Sequence, residues 1–233
     1  LTLDFYLAGE QEHLLVLEEI NGDKRRVLGE FRIFSVKPDL LALRPYKGDF
    51  HMHSNESDGV ESPAYVAGSC RRAGLDWMAL SDHRKYAPSL DAANAYQGVP
   101  IDLRIYPGEE VHSPDNPVHI IAFGHNSGIR DLYMDAAEPQ ARAEIAEIQK
   151  KLKKVPEDVV KFHYASCQWV TSKIHERGGI AMLCHPYWVT GGQHNVAEPL
   201  LNALLTSKFF DTLEVVSGNP SSEAVGYDSN VLQ

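Results

Sequence analysis

The 233-residue chain is poor in cysteine, with Cys70, Cys167 and Cys184 alone. Their odd number and wide spacing suggest neither a disulfide framework nor a CxxC zinc site, so a reducing, cytoplasmic setting is the expectation. Positive charge is also short. Lys and Arg total 22 against 32 Asp and Glu, a formal net charge of −10. That excludes a general nucleic-acid binder, which needs clustered cations. It leaves a nucleotide or phosphoester open as substrate, because metal charge can dominate a site locally. No apolar run reaches the ~18 residues of a membrane span. The chain opens on Leu and has no charged n-region followed by an apolar h-region, so the expectation is a missing or processed N-terminus. There is no GxSxG, no P-loop and no GxGxxG. Internal repeats and low-complexity tracts are absent too.

What is present divides at about residue 45. In 1–45, two runs rich in Leu, Val, Ile and Phe, His13–Ile20 and Arg25–Phe34, flank Asn21-Gly22-Asp23. Asn-Gly between apolar runs is a strong hairpin signal, so this segment reads as a small β appendage. Arg44-Pro45-Tyr46-Lys47-Gly48 forms the junction, and 46–233 is the second domain.

From Asp49 strands alternate with helices. Asp49–His53, Trp77–Leu80, Leu103–Tyr106, Val118–Phe123, Ile180–Cys184 and Thr212–Val216 read as strands. A helix opens at Ser62-Pro63, with Ser as N-cap and Pro in the first turn. Further helices are expected over Ser89–Tyr96, Ala136–Lys154, Glu157–Arg177 and Ala197–Ser207. Strands separated by helices imply an α/β fold with a mainly parallel sheet or barrel.

The chemistry gathers where those strands end. His51 and His53 in GDFHMHSNESDG stand two apart, which on a strand aims both imidazoles to one side. HxH alone is common, but Asp58-Gly59 adds carboxylate and turn chemistry close by. Asp82 and His83 follow an apolar strand, where barrel enzymes place their chemistry. Asp82 reads as the group that orients an imidazole from behind. Glu109-Glu110 follows the next strand, and one of the two can bridge neighbouring ions. His112, His119 and His125 crowd the following segment, and the pattern does not choose among them. His185 closes a strand in Cys184-His185-Pro186, with Cys184 expected on the opposite side as a core residue. His163 and His175 fall on a helix; with His13 they read as surface or core-edge residues. Cys70 and Cys167 read as packing residues. His194 lies in a Gly-rich loop from which it could approach a site.

Taken in order, HxHSNESDG, SDH, GEEV, HIIAFG and CHP resemble the motifs of the PHP family, the polymerase and histidinol phosphatase domain. The resemblance runs from about Tyr46 to Val216. GLDWMALSDH is similar to the approach to the family's second motif, and FDTLEVV places Glu214 in the family's position. The β-rich start is similar to a phosphoesterase subgroup with an N-terminal β segment. The resemblance implies a distorted (β/α)7 barrel holding two or three divalent metal ions, Zn, Mn or Fe. Carried over residue by residue, it implies His51, His53, Asp58, His83, Glu110, His119 and His185 as ligands. It thereby favours His119 over His112 and His125, and Glu110 over Glu109. The family's last motif, Asp-x-His, does not occur; Tyr227-Asp228-Ser229-Asn230 carries no His. Six strands are counted where the barrel has seven. The expectation is a barrel whose C-terminal part is missing, in a truncated piece of a longer protein.

Clustered divalent ions lower the pKa of bound water towards ~7 and stabilise phosphoryl charge. The expected activity is hydrolysis of a small phosphorylated substrate by a metal-bound hydroxide at a di- or trinuclear site. Asp82 orients a ligand or shuttles a proton, Arg84 and Lys85 hold the phosphate, and His194 protonates the leaving group. Two alternatives stand beside it: hydrolysis of an amide-type bond, and a non-catalytic module in which metals hold the fold. Substrate identity and oligomeric state stay open.

Overall fold

The computed structural model describes residue 4, residues 6–190 and residues 192–215. Contacts divide the chain into Leu1–Tyr46 and Lys47–Gln233. In the first unit, β1 (Gln11–Asn21) pairs antiparallel with β2 (Lys24–Ser35). Gly22 turns the chain at φ 61°, a left-handed conformation that a side chain resists. A register shift after Leu17 bends the ladder. A four-residue helix, α1 (Pro38–Leu41), follows. Most hairpin side chains are exposed, Ile20 and Phe34 among them.

The second unit begins with β3 (Gly48–Asp49), α2 (Pro63–Arg72), β4 (Trp77–Ala79), α3 (Ala87–Ala95) and β5 (Arg104–Tyr106). Ser62 caps α2, its Oγ accepting the Tyr65 N–H at 3.3 Å, with Pro63 in the first turn. Next come β6 (Gly108–His112), β7 (His119–Phe123), two single-turn 3-10 helices at Arg130–Leu132 and Asp135–Ala137, α4 (Glu138–Lys151) and α5 (Lys161–Glu176). The described part ends with β8 (Ile180–Leu183), the small ribbon of β9 (Val189–Thr190) and β10 (Gln193–His194), α6 (Glu198–Leu205) and β11 (Thr212–Leu213). None of the described helices is long and apolar enough to cross a membrane.

The fold is mixed α/β, and its sheets depart from a mainly parallel barrel. β3, β4 and β5 form a parallel three-stranded sheet. The other sheet runs β11-β8-β7-β6, and only its β8–β11 pair is parallel. β6 pairs antiparallel with β7 because the link 113–118 is too short for a crossover. β7 pairs antiparallel with β8 because two helices intervene. α4 carries the chain away and α5, tied to it by Trp169 Nε1 donating to Glu144 at 2.7 Å, carries it back. The two sheets meet at the bridge His83–Glu110. Among the described residues no closed seven-stranded barrel forms. The expected end of the last strand, Val216, and the segment with Tyr227–Asn230 lie outside the described residues.

Alternation along the strands sorts the core. Ile120 and Ala122 on β7, Val111 on β6, and Ala181 and Leu183 on β8 face the helices, packing with Ile145, Trp169, Ile174 and Leu201. Ile121, Phe123, Met182 and Cys184 face inward with Ala79. A strand buried on both faces places its inward side chains between sheets, which is where a site can be dry. Ile145 is fully buried in the helical layer. Ile145→Ala should cost about 2–5 kcal/mol in urea unfolding; a cost below ~1 kcal/mol would mean that this layer is loosely packed.

Candidate metal centre

β6 and β7 build the centre. Residues 108, 110 and 112 share the inward side of β6, and residues 119, 121 and 123 that of β7. Glu110 is fully buried there. Six imidazoles surround its carboxylate. His53 Nε2 lies 2.8 Å, His83 Nδ1 3.0 Å and His51 Nε2 3.3 Å from Oε2. His119 Nδ1 lies 2.8 Å, His185 Nε2 3.3 Å and His112 Nε2 3.6 Å from Oε1. The chain therefore brings six of its seven expected ligands together, and Asp58 touches the edge of the cluster. Asp58 Oδ1 is 2.7 Å from His53 Nδ1 and its Oδ2 is 3.2 Å from His83 Nε2.

His51 and His53 reach the centre although the strand expected over Asp49–His53 stops at Asp49. The chain beyond it stays beside β4, with Ser81 N donating to Met52 O at 2.8 Å. Glu214 fixes two members at once. Its carboxylate takes the His51 Nδ1 side at 3.0 Å and the backbone N–H of His185 at 2.6 Å. Gly59 closes the loop after His53; a Cβ there would lie 2.4 Å from the His53 carbonyl oxygen.

Asp82 is also fully buried, yet its partners are not imidazoles. Oδ1 accepts from Ser54 N at 2.8 Å and Ser57 Oγ at 2.6 Å, and Oδ2 accepts from Ser54 Oγ at 2.8 Å. Asp82 thus organises the loop that carries His53 and Asp58, instead of orienting a ring. Arg84 and Lys85 are exposed on the segment after His83. Lys85 Nζ engages the Glu56 backbone oxygen, and its carboxylate at 3.5 Å. His194 is exposed on the β9–β10 ribbon, its ring 6.3 Å from that of Tyr187 between centroids.

Three features escape the sequence reading. His112 joins the cluster beside His119, because the antiparallel register pairs them and stacks their rings 3.7 Å apart. Its Nε2 is 2.7 Å from His83 Nδ1. The signal was available: reading Gly108–His112 as a strand puts 110 and 112 on one side. His125 instead packs against Tyr86, ring to ring at 4.7 Å, away from Glu110. Cys184 does not face away from His185; its Sγ is 3.5 Å from His185 Nε2. Trp188 borders the centre, 5.3 Å from the His185 ring.

The electrostatics follow from one buried carboxylate among many bases. Burial works to raise the Glu110 carboxyl, but the imidazoles of His112, His119, His185 and His51 outweigh it and hold it well below its usual range. Burial also works to lower His51, yet Glu110 and Glu214 raise it to about 10. His112 falls to about 4 through burial, despite Glu110, with His119 and His83 adding to the fall. Burial, then Glu110 and Glu214, push the Cys184 thiol well above its usual value. Glu109 points the other way on β6, and its oxygens accept from Ile129 N and Arg130 N, both at 2.9 Å.

These residues fit a cation centre. His53 Nε2 and His119 Nδ1 are buried without a hydrogen-bond partner, yet each stands 2.8 Å from a Glu110 oxygen. Buried ring nitrogens converging on one carboxylate suit ligands of shared ions. The possible ligand sets among the described residues overlap: His51, His53 and Glu110; His83, Glu110, His112 and His119; Glu110, Cys184 and His185; His53, Asp58 and His83; and His51, Cys184 and Glu214, each within 4.8 Å.

No protein-family model matches the chain. A stretch of 57 residues is 40% identical to DNA polymerase/3'-5' exonuclease PolX of Bacillus subtilis, covering 24% of this chain and 10% of that polymerase. The match thus spans only about a tenth of that relative's length. Among solved structures, a protein of Bifidobacterium adolescentis assigned as a metal-dependent phosphoesterase shares the fold. It is 20% identical over 81% of this chain and 84% of that one, at a TM-score of 0.51. An amidohydrolase from Chromobacterium violaceum with bound sulfate and no metal is 19% identical over 76% of this chain and 80% of its own, at 0.50.

Two predictions follow from the carboxylates. Asp82→Ala strands the Ser54 N–H and two hydroxyls and should cost about 1–3 kcal/mol in urea unfolding; a change within ~0.5 kcal/mol would show that the loop holds without it. Burial raises Glu109 from 4.5 to about 7, against the lowering by the Ile129 and Arg130 N–H groups. A carboxyl raised on folding binds more protons folded than unfolded, so its contribution is full below the unfolded value and is lost as pH rises through the folded one. Glu109→Gln should therefore gain on the wild type between pH 4.5 and about 7, by up to about 1.4 kcal/mol per pH unit. A difference that stays flat with pH would mean that Glu109 is ionised throughout.

Proposed function

We propose that the chain is a member of the PHP domain family and a metal-dependent phosphoesterase acting on a small phosphorylated substrate. One observation carries the reading: six imidazoles meet one fully buried carboxylate, Glu110, with ring nitrogens 2.8–3.6 Å from its two oxygens. Ordinary folding does not need that arrangement, and buried charge is costly unless paired.

His51, His53, His83, His119 and His185, with Glu110 shared among them, would hold two or three divalent ions, and Asp58 would complete the edge. Mixed imidazole and carboxylate donors suit Zn, Mn and Fe. Bound ions supply a water acidic enough to attack near neutral pH and positive charge opposite phosphoryl oxygens.

The chain's own residues set the rest. Glu214 at 3.0 Å from His51 Nδ1 and Asp58 at 2.7 Å from His53 Nδ1 fix those rings. Each ring then directs Nε2 towards the centre, and such partners behind a ligand also raise its basicity. Asp82 keeps the His53 loop in register through Ser54 and Ser57. Arg84 and Lys85, exposed next to His83 in the chain, would be the cations that meet the non-reacting phosphate oxygens. Lys85 would exchange its contact with Glu56 for the substrate. Trp188, its ring 5.3 Å from that of His185, would supply an apolar border to the centre.

Amide hydrolysis at the same centre is the second reading, since the neighbour from Chromobacterium violaceum is called an amidohydrolase. The test is turnover of matched phosphate monoester, phosphate diester and amide substrates with Mn²⁺ or Zn²⁺ added, beside His53→Ala. Ester turnover that depends on metal and falls by more than about 100-fold in the variant is expected, because even partners behind a ligand cost about 10–100-fold. Amide turnover alone would replace the phosphoesterase reading with the second one. A folded, metal-loaded protein that turns over none of the three would leave a binding module.

A further inference from the structure

We infer that Cys184 is a sulfur ligand of the centre, sharing an ion with Glu110 and His185. The inference rests on the metal-centre reading above. Three facts of placement support it. Cys184 continues the inward side of β8 after Met182, so its side chain enters the space between the sheets. On a regular strand its neighbour would then point outward. His185 instead takes φ 29°, a left-handed conformation unusual for a side-chain-bearing residue, and its ring stays on the same side as the thiol. Glu214 clamps that turn by accepting the His185 N–H at 2.6 Å. Strained backbone of this kind persists where the surroundings enforce it, commonly at functional sites.

The separations match one ion. His185 Nε2 is 3.5 Å from Cys184 Sγ and 3.3 Å from Glu110 Oε1. An ion with its sulfur at about 2.3 Å and nitrogen at about 2.0–2.1 Å sets the two about 3.6 Å apart at the tetrahedral angle. All three residues are buried, and their donor atoms lie within 4.8 Å of one another. The other two cysteines have no such company. Cys70 Sγ meets Met52 Sδ and Cys167 Sγ meets Asn116, both within packed helices. On binding, the sulfur–metal bond forms as the thiol proton leaves to the buffer. A thiolate donor selects thiophilic ions, Zn or Fe, over Mn or Mg.

Cobalt(II) loading of the full chain tests this without any turnover. Visible ligand-field bands report metal bound to the centre, and a near-ultraviolet sulfur-to-cobalt charge-transfer band reports thiolate. The wild type should show both. The double variant Cys70→Ala/Cys167→Ala should keep both, leaving Cys184 as the only thiol. Cys184→Ser should keep the visible bands and lose the charge-transfer band. Visible bands without charge transfer in the wild type would overturn the sulfur ligand and leave the metal centre standing. A charge-transfer band lost in the double variant, with its visible bands intact, would assign the sulfur to another cysteine. A folded protein that binds no cobalt would overturn both readings.

Discussion

A single buried carboxylate governs the architecture of the second unit. Glu110 has no exposed surface, and an unpaired charge so placed would cost several kcal/mol. It is sustained only because segments from β3 onward deliver imidazoles to it: His51 and His53 after β3, His83 after β4, His112 and His119 from β6 and β7, and His185 after β8. The burden is shared unequally. His51, wedged between Glu110 and Glu214, is pulled up to about 10, while His112 is pushed down to about 4. The cluster therefore carries its own counter-charge on selected rings. Divalent ions would take over that role, since a bound ion is the largest local charge in a site.

Around the cluster, carboxylates act at one remove. Glu214 joins the His51 ring to the His185 backbone, residues far apart in the chain. Asp82 gathers Ser54 and Ser57 and so sets the loop between His53 and Asp58. Each buried acid is satisfied by groups that themselves place a ring. The centre is thus pre-organised by hydrogen bonds from carboxylates behind its rings and loops, the usual means by which a metal site gains rigidity.

Much of this was legible in the sequence. Asn21-Gly22 marked the hairpin, Ser62-Pro63 marked the start of α2, and polar residues following apolar runs marked the strand ends. The spacing of His51 and His53 carried over to the centre even though the strand is shorter than expected. The resemblance favoured Glu110 over Glu109 and His119 over His112 and His125; Glu110 and His119 stand in the cluster and His125 does not, but His112 stands there too. What was hidden depended on pairing and backbone conformation. His112 was one of three histidines among which the pattern did not choose; its strand character comes from the ladder with β7, a tertiary effect. The antiparallel direction of β7 and β8 depends on how many helices cross between them. The inward turn at His185 depends on one φ angle, which no residue pattern announces. Asp82 lay beside His83 in sequence, but the groups that donate to it are Ser54 and Ser57 in the preceding loop.

The dipeptide Glu109-Glu110 condenses the physics of the site. Adjacent residues of one strand point to opposite sides, so chemically identical side chains enter different media. Burial dominates at Glu109 over the lowering by the backbone N–H groups of Ile129 and Arg130, raising it to about 7. Glu110 meets imidazoles, and their attraction overcomes the same burial. One acid is thereby kept close to neutral where the fold needs a quiet acceptor, and the other is kept ionised where a cation would sit. A one-residue slip of β6 against β7 would exchange them, placing the reluctant acid among the histidines and a committed anion in the apolar layer. The register His112–His119 is therefore under electrostatic as well as steric selection, and the strand pairing that looks like scaffold is part of the site.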